Sequence, residues 1–518
     1  MSSSAGRTKK FIINSISTAM LQIVTMLVGF ILPKVMLKYY GSEINGLVSS
    51  ITQFMAYFSL VEAGLSGAAV FALYKPLAQN DNNGISQVVT QTRKFYIKAG
   101  LIFGLLVLSL GILYPLFVTS TLLSKFEITL LVFVIGLSVV IDFFTLSKYR
   151  VLLTADQKIY VISIASILYY VFNTLIISVL SIFKYNIIMV RFIAITAVLI
   201  RSFILKIYVE KKYPLVNYNE KITKKNLLSK RWDALYLQIL GAVELGAPVI
   251  ILTFTTNLIT VSIYTIYNMI LSGINGVLSI FTSGLSASFG DVIAREEFDK
   301  LKKTTLEFEY GYYNLITLVY SVAMVLIMPF IKLYVGSISD VNYYIPILGV
   351  LFIINGFLYN IKTPQGMLVI SAGMYKETRI QSTIQGLIII VFGFLLAPKY
   401  GIIGMMIANI LSNLYRTIDL LFFIPRNLTK QSFAHTLFRQ VKSIVYFILI
   451  YFTSVFVVSK LNISINSYFN WIIIAIISLV IGLFIIFISD LLVDRKMMNN
   501  IYQRMRGLLN NGKSKKDK

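Results

Sequence analysis

The sequence predicts an all-α polytopic membrane protein with about fourteen transmembrane helices. Of its 518 residues, 57% are hydrophobic and only 13% are charged, a balance far more apolar than that of soluble domains. The apolar residues form repeated blocks of about 20 or more, the length a helix needs to cross a bilayer. These blocks lack the two-residue alternation of a membrane β-barrel, and lipid offers backbone groups no partner, so each block is expected to be helical.

The predicted spans follow one another with short connections. The first apolar run begins after Arg7, Lys9 and Lys10 but is too long for a signal peptide and lacks a small-residue cleavage site, so it is predicted to be a retained span. In chain order the predicted spans cover residues 11–37, 44–74, 96–118, 128–147, 159–183, 186–208, 232–255, 258–289, 310–335, 343–369, 379–398, 401–425, 441–459 and 469–492.

The Lys and Arg residues are distributed unequally between alternate connections. Most of the 47 lie in the termini and in the connections after even-numbered spans. Because basic loops stay cytoplasmic, this asymmetry predicts a protein of the cytoplasmic membrane with both termini inside. The cations predicted to lie outside are Lys34, Lys38, Lys125, Lys184, Lys332, Lys399 and Lys460.

An internal repeat relates the two halves of the chain at an offset of about 215 to 220 residues. An ordered series of matches carries it, among them Pro33 with Pro248, Pro115 with Pro329, and Arg201 with Arg416. Six spans separate the halves, so both cross the membrane in the same direction, as in the parallel repeats of secondary transporters. The predicted organisation is an N-lobe at 1–210, a basic cytoplasmic linker at 211–231, a C-lobe at 232–426, two further spans at 427–494 and a basic cytoplasmic tail at 495–518.

The chain resembles the multidrug/oligosaccharidyl-lipid/polysaccharide exporter superfamily, and within it the polysaccharide transporter (oligosaccharide flippase) family. The resemblance rests on Tyr40-Gly41, Gly46-Leu47, the segment Glu62-Ala63-Gly64-Leu65-Ser66 and Leu73-Tyr74-Lys75-Pro76-Leu77, together with the layout of six, six and two spans. It covers nearly the whole chain, and the segment that begins at Glu62 is its most specific part.

This resemblance implies a flippase that moves undecaprenyl-diphosphate-linked oligosaccharide to the outer leaflet for capsule, O-antigen or exopolysaccharide synthesis. Alternating access of the two lobes would drive the movement, with a polysaccharide polymerase and glycosyltransferases as candidate partners. A lipid II flippase and a cation-coupled multidrug exporter of the same superfamily remain alternatives, because fold alone does not separate them. No cofactor is expected, and coupling to H⁺ or Na⁺ stays open.

Other function classes fit the sequence poorly. With no cysteine and one histidine, His435, the chain has no disulfide, thiolate nucleophile or Cys/His zinc cluster. It has no P-loop for ATP hydrolysis, and its basic residues lie between spans instead of on a soluble nucleic-acid-binding face. A membrane polymerase or glycosyltransferase is a remote alternative, because the external connections are too short to fold as a catalytic domain.

Four cations are candidates for contact with the substrate. Ionisable residues within spans are costly and by default face a cavity or a partner. Arg191, in the sixth span, suits a bidentate phosphate contact, with snorkelling to the outer interface as the alternative. Lys34 follows Pro33 near the outer end of the first span, where interfacial anchoring competes with substrate contact. For Lys362, near a break at Pro364, and for Arg416, rim packing competes with substrate binding.

Three acids and two pairs of helix-breaking residues complete the candidate set. Glu62 and Glu244 lie inside their spans and would bind a coupling ion or form structural contacts. Asp142 lies shortly before Lys148 and Arg150, which favours an ion pair at the cytoplasmic rim. The helix breakers are predicted to interrupt the first and seventh spans at corresponding positions and to gate access; they are Gly29, Pro33, Gly246 and Pro248.

Overall fold

The computed structural model describes residues 4–62, 65–145, 147–220, 232–282, 285–499 and 503. Within these ranges the regular structure is helical. The sixteen α-helices are α1 (Ser4–Phe58), α2 (Leu65–Ala78), α3 (Asn82–Phe117), α4 (Lys125–Thr145), α5 (Ser147–Ala155), α6 (Ile159–Ile182), α7 (Ile187–Lys212), α8 (Trp232–Thr255), α9 (Leu258–Thr282), α10 (Leu285–Ala294), α11 (Phe298–Tyr334), α12 (Pro346–Ile361), α13 (Thr363–Ser371), α14 (Arg379–Ile424), α15 (Phe433–Lys460) and α16 (Tyr468–Val493).

The helices confirm an all-α polytopic membrane protein. Among the described residues, 11 helical segments are long and apolar enough to span a bilayer, and Ile239–Thr255 is a shorter apolar helix. Two of the 11 segments, Lys10–Glu62 and Arg379–Thr429, are 53 and 51 residues long, about twice what one crossing requires. Counting each of these as two crossings and adding the shorter helix agrees with the predicted layout of about fourteen spans.

Two glycines divide these long segments, Gly41 within the predicted connection 38–43 and Gly401 at the first residue of the predicted span 401–425. Gly41 interrupts α1 with φ 81° and ψ 175°, and Gly401 interrupts α14 with φ 57° and ψ −133°. A side chain at either position would be strained in this backbone conformation, which glycine adopts readily. Each glycine therefore separates two helical parts of its long segment, and Gly41 belongs to the Tyr40-Gly41 pair that supports the family resemblance.

The predicted interruptions of the first and seventh spans are wrong. Helix α1 remains helical through Gly29 and Pro33, and α8 remains helical through Gly246 and Pro248. Proline has a helical φ and costs the helix one hydrogen bond, a loss that a membrane helix tolerates when neighbouring groups re-satisfy the freed carbonyl. The irregular positions lie elsewhere: a 3₁₀ turn covers Ser59–Glu62, and α12 and α13 are separated at Lys362.

The chain divides into two compact units. Unit 1 contains residues 1–269, 338–341 and 393–402, and unit 2 contains residues 270–337, 342–392 and 403–518. The predicted lobe boundaries, the pair of spans at 427–494 and the tail stay predictions. Linker residues 221–231 and most of the tail lie outside the described residues.

Unit 1 has an extended apolar core built from α1 to α7, with Leu258 at the start of α9 packed into it. The second half of α1 approaches α9 closely, because a Cβ at Gly46 would lie 1.8 Å from the Leu258 carbonyl oxygen. Nearby, the Asn45 amide donates a hydrogen bond to the Ser262 hydroxyl at 2.8 Å, and both side chains are buried. These two residues are 217 positions apart, which matches the offset of the repeat.

The connection between α5 and α6 is held by a charged cluster around Asp156. Lys158 Nζ lies 2.6 Å from the carboxylate, the Tyr213 hydroxyl donates to it at 2.5 Å, and Lys10 Nζ lies 3.5 Å away. Burial alone would raise the pKa of Asp156, but the hydrogen bonds from Lys158 and Tyr213 and the charges of both lysines lower it below its usual value. The ionised carboxylate therefore stabilises this connection.

In unit 2, α11 packs against α12, α15 and α16. One apolar cluster joins α10, α13 and α14, and a smaller cluster joins α15 to α16. The Trp471 indole of α16 donates to the Leu326 carbonyl oxygen of α11 at 3.1 Å. This bond fixes one end of α16, and the polar networks described below fix the other.

Candidate functional site

The first candidate, Arg191, lies in the first turns of α7 and is partly buried. Its guanidinium contacts the sulfur of Met36 at 3.9 Å, and its Nε atom is buried without a hydrogen-bond partner among the described residues. A thioether is a weak acceptor that leaves the charge uncompensated. Among the described residues, the Arg191 guanidinium therefore has a thioether contact and no carboxylate partner.

A second group of charges lies farther along the same unit, where Asp142 of α4 meets Arg201 of α7. Arg201 donates from one terminal nitrogen to both carboxylate oxygens at 2.5 and 2.6 Å and lies over the Tyr169 ring at 4.3 Å. The sequence favoured a rim pair with Lys148 or Arg150, but the partner comes from another helix. The pairing of Asp142 with Arg201 could not be predicted from their separation in the sequence.

Glu62 belongs to this same group. It ends the 3₁₀ turn after α1, it is partly buried, and the charges of Arg150 and Asp142 act on its carboxylate. The structure therefore brings two of the three predicted acids, Glu62 and Asp142, into one electrostatic cluster. Ala63 and Gly64 of the family-like segment lie outside the described residues.

The remaining candidates of unit 1 lie on α1 and α8. Lys34 and Glu244 are both partly buried within their helices. Gly246 is a packing residue, because a Cβ there would lie 2.1 Å from the Gln53 amide nitrogen and 2.7 Å from the Tyr57 ring. Gly29 faces open space. A gating role for these glycines and their prolines stays a prediction.

Unit 2 brings Lys362 and Arg416 to the same face of α14. Lys362, at the junction of α12 and α13, donates to the Asn413 amide oxygen at 2.8 Å and lies 4.9 Å from the Tyr359 ring centroid. Arg416 lies one helical turn after Asn413 and pairs with Asp419 at 2.5 Å. Both cations are buried, so this region of unit 2 is a polar cluster within an apolar helix bundle.

A neutral hydrogen-bond network extends from this region along α12. The Asn360 amide donates to the Asn275 oxygen and to the Tyr320 hydroxyl, both at 2.8 Å, and its own oxygen accepts from Tyr312 at 2.8 Å. These groups satisfy one another, and a fully satisfied buried network fixes the orientation of its members.

The sequence did not predict two ionic networks of unit 2. In the first, the buried Glu309 carboxylate accepts from Gln365 and Thr436 and pairs with Arg439 at 3.3 Å. Glu309 lies just before the predicted ninth span, but α11 begins eleven residues earlier, at Phe298.

The second network joins the two C-terminal spans. Lys442 of α15 pairs with Asp490 of α16 at 2.5 Å and with Asp494, while Tyr310 and Asn314 of α11 donate to Asp490 at 2.5 and 2.7 Å. Lys442 lies at the edge of its predicted span, 441–459. Its spacing to Asp490 carries no sequence signal, because the pairing is between different helices.

Comparison with known proteins places the fold. No protein-family model matches the chain, and no curated protein matches it. Among solved structures, an inward-facing multidrug resistance MATE transporter of the MOP superfamily superposes with a TM-score of 0.64 at 12% identity, over 79% of this chain and 98% of that one. The lipid II flippase MurJ, in an inward closed conformation, superposes with a TM-score of 0.63 at 16% identity, over 93% of this chain and 100% of that one.

A MOP-superfamily transporter from Pyrococcus furiosus shares the fold as well. Its TM-score is 0.56 at 13% identity, over 82% of this chain and 97% of the other. Identities this low establish the fold and nothing finer. The chain therefore has the fold of these MATE and MOP-superfamily transporters and of the lipid II flippase MurJ.

Proposed function

We propose that this protein is a flippase that moves an undecaprenyl-diphosphate-linked oligosaccharide across the bacterial cytoplasmic membrane by alternating access. The observation that carries the proposal is Arg191, an intramembrane guanidinium that meets a thioether and no carboxylate among its described contacts. Placing an unpaired charge in a span is costly and is retained where it serves a function. A diphosphate is the ligand class that a guanidinium binds best, through two parallel hydrogen bonds.

The second support is the extent of the fold match. MurJ covers 93% of this chain, whereas the MATE transporter covers 79%. The fold shared over the larger part of this chain is thus that of a protein that moves a lipid-linked substrate. The polar head of such a substrate needs a hydrophilic path, while its polyprenyl tail remains in the bilayer, so a protein made almost entirely of spans suffices. Lipid II flipping and cation-coupled drug export are the competing outcomes of the test.

The test uses the purified chain in proteoliposomes that contain a fluorescent undecaprenyl-diphosphate oligosaccharide, with transbilayer movement measured by reduction of the outer-leaflet dye. We expect Arg191→Ala to slow the protein-dependent rate about 10- to 100-fold, the value of a lost charged hydrogen bond. Arg191→Lys keeps the charge but loses the bidentate fork, and should fall in between. Lys460→Ala, which removes an exposed cation at the end of α15, is the matched control and should leave the rate unchanged.

Three results would overturn the proposal. Movement at the rate of empty liposomes would exclude this substrate. Faster movement of lipid II than of other lipid-linked oligosaccharides would assign the chain to peptidoglycan synthesis, and ion-driven dye export without lipid movement would assign it to drug efflux. An Arg191→Ala protein as active as the wild type would refute the role of the guanidinium.

A further inference from the structure

Unit 1 contains a second polar site, separate from Arg191, in a cavity of about 790 Å³. Its volume falls within the range of small-molecule sites, about 300–1,000 Å³. Helices α3, α4, α5 and α7 form its walls, together with Tyr218 of the segment after α7. It lies at the end of the unit that the Lys and Arg distribution predicts to be cytoplasmic.

The charged lining of the cavity is strongly positive. Arg93, Lys148 and Lys206 line it, against one carboxylate, Glu210, which lies 3.9 Å from Lys206 Nζ. No ion pair of Lys148 is found among the described residues. Its ammonium lies 4.8 and 5.3 Å from the ring centroids of Tyr149 and Tyr218. Burial lowers the pKa of Lys148, and the charges of Arg93 and Lys206 lower it further. The cavity therefore carries positive charge that its own residues do not neutralise.

Next to these charges, the cavity lining includes Tyr218, whose hydroxyl is a neutral hydrogen-bond donor. This hydroxyl is buried without a hydrogen-bond partner among the described residues. Burial raises its pKa above the usual value, so the hydroxyl keeps its proton and can donate. Buried polar groups normally find a partner, and one that lacks it calls for an explanation. An anionic oxygen in the cavity would accept from Tyr218 and neutralise Lys148 together.

The opposite half of the lining is apolar and exposed. On α7, Leu199, Phe203, Lys206 and Glu210 follow one another at helical spacing and share one face. Leu199 and Phe203 are 48% and 64% exposed, values expected for side chains that contact lipid in a membrane span. Lys206 follows Leu199 by seven residues, which at 1.5 Å per residue separates the charged half of this face from its apolar half by about 10 Å along the helix axis. The lining thus changes along α7 from cationic to lipid-facing.

We infer that this cavity binds an anionic phospholipid of the cytoplasmic leaflet, with its phosphate against Lys148, Lys206 and Tyr218 and its acyl chains along Leu199 and Phe203. The charge pattern selects the ligand, because basic pockets between spans on the cytoplasmic side suit anionic headgroups. A soluble phosphate compound would use the cationic half alone and leave the exposed apolar half unexplained. The inference does not depend on what the protein transports.

The test is native mass spectrometry of the purified full-length protein titrated with phosphatidylglycerol, with phosphatidylcholine as the zwitterionic arm and glycerol phosphate as the arm without acyl chains. We expect one tight phosphatidylglycerol site, weaker phosphatidylcholine binding and no competition from glycerol phosphate. Lys148→Ala/Lys206→Ala should weaken the tight site about 30-fold, from roughly fivefold per basic residue. Lys211→Ala/Lys212→Ala removes the same charge from the exposed end of α7, outside the cavity, and should leave the site intact.

A milder variant guards against misfolding. Tyr218→Phe removes only the unpartnered hydroxyl and should weaken phosphatidylglycerol binding about threefold or more, the value of one hydrogen bond. Equal binding of phosphatidylcholine would overturn the inference, as would full competition by glycerol phosphate, which would indicate a soluble ligand. Equal losses in the two double-lysine variants would indicate diffuse attraction and no site. A Tyr218→Phe protein with unchanged affinity would refute the placement of the phosphate.

Discussion

The network around Lys442 predicts a large and specific loss of stability when its cation is removed. Lys442 is 8% exposed and Asp490 4% exposed, so neither charge is compensated by water. Lys442→Met keeps a long apolar side chain, but among the described residues it leaves Asp490 with Tyr310 and Asn314 as its donors. Breaking a buried pair in this way costs about 3–5 kcal/mol. At 1.4 kcal/mol per factor of ten, the docked state of α16 should weaken about 100- to 3,000-fold.

The fluorescence of Trp471 can report this loss of stability. The chain contains two tryptophans, and Trp471 docks α16 onto the Leu326 carbonyl of α11. In a Trp232→Phe background, denaturant titration in detergent micelles, followed by Trp471 emission, measures release of α16. Lys442→Met should lower the midpoint strongly. The exposed Lys460→Met, on the same helix, should change the free energy of release by less than about 0.5 kcal/mol.

A combined variant distinguishes the loss of the attraction between Lys442 and its two carboxylates from the cost of leaving those carboxylates buried without a cation. Lys442→Met with Asp490→Asn and Asp494→Asn removes the cation and both anions, and an amide at position 490 still accepts from Tyr310. Replacing a whole buried ionic group by neutral residues is often neutral, so this variant should recover most of the lost stability. The reasoning is refuted if Lys442→Met costs less than about 1 kcal/mol, or if the combined variant is as unstable as the single one.

Three further predictions follow from unit 1. Gly46→Ala should destabilise the protein by about 1–3 kcal/mol, because its methyl group would meet the backbone of α9, whereas Gly29→Ala, on the same helix but in open space, should be neutral in a thermal unfolding assay. The lowered pKa of Asp156 means that its contribution is present above the unfolded pKa of about 3.9 and is lost as the pH falls through the lower folded value, so Asp156→Asn should flatten the acid limb of stability measured between about pH 5 and 2. Asp142→Asn should destabilise by stranding Arg201, and a charge swap of the pair should restore part of the loss in a double-mutant cycle.

The layout of the spans could be predicted from the sequence because one physical requirement controls it. A helix must present about 20 apolar residues to the bilayer, and this length is readable without any partner. The predicted span 159–183 agrees within one residue with α6, which covers Ile159–Ile182. The predicted span 469–492 agrees equally well with α16, which covers Tyr468–Val493. Gly41, one of the residues that support the family resemblance, is the residue at which α1 is interrupted.

The charges were harder to assign because their partners lie on other helices. The pair of Asp142 with Arg201 spans 59 positions and that of Lys442 with Asp490 spans 48, and neither separation has a sequence signature. Apolar windows also end where charges begin, so Glu309 falls just outside the predicted span 310–335 and Lys442 at the edge of the predicted span 441–459, although α11 and α15 begin well before them. The predicted interruptions at Pro33 and Pro248 were wrong for a related reason. Proline removes one hydrogen bond from a helix, but packing against neighbouring helices decides whether the helix breaks there.

Pairing offers a way to separate structural charges from functional ones. Arg201, Arg416, Arg439 and Lys442 each meet a carboxylate within 3.3 Å and should behave as structural residues whose loss destabilises the protein. Among the described residues, Arg191 contacts the sulfur of Met36 and no carboxylate, so burying its charge destabilises the protein without a compensating ion pair. Arg191→Met should therefore raise the stability of the protein, by up to about 2–3 kcal/mol on insertion scales, while it slows substrate movement. Stability and transport rate, measured on the same Arg191→Met preparation, should move in opposite directions; if both fall together, Arg191 is a structural residue and the substrate diphosphate must bind elsewhere.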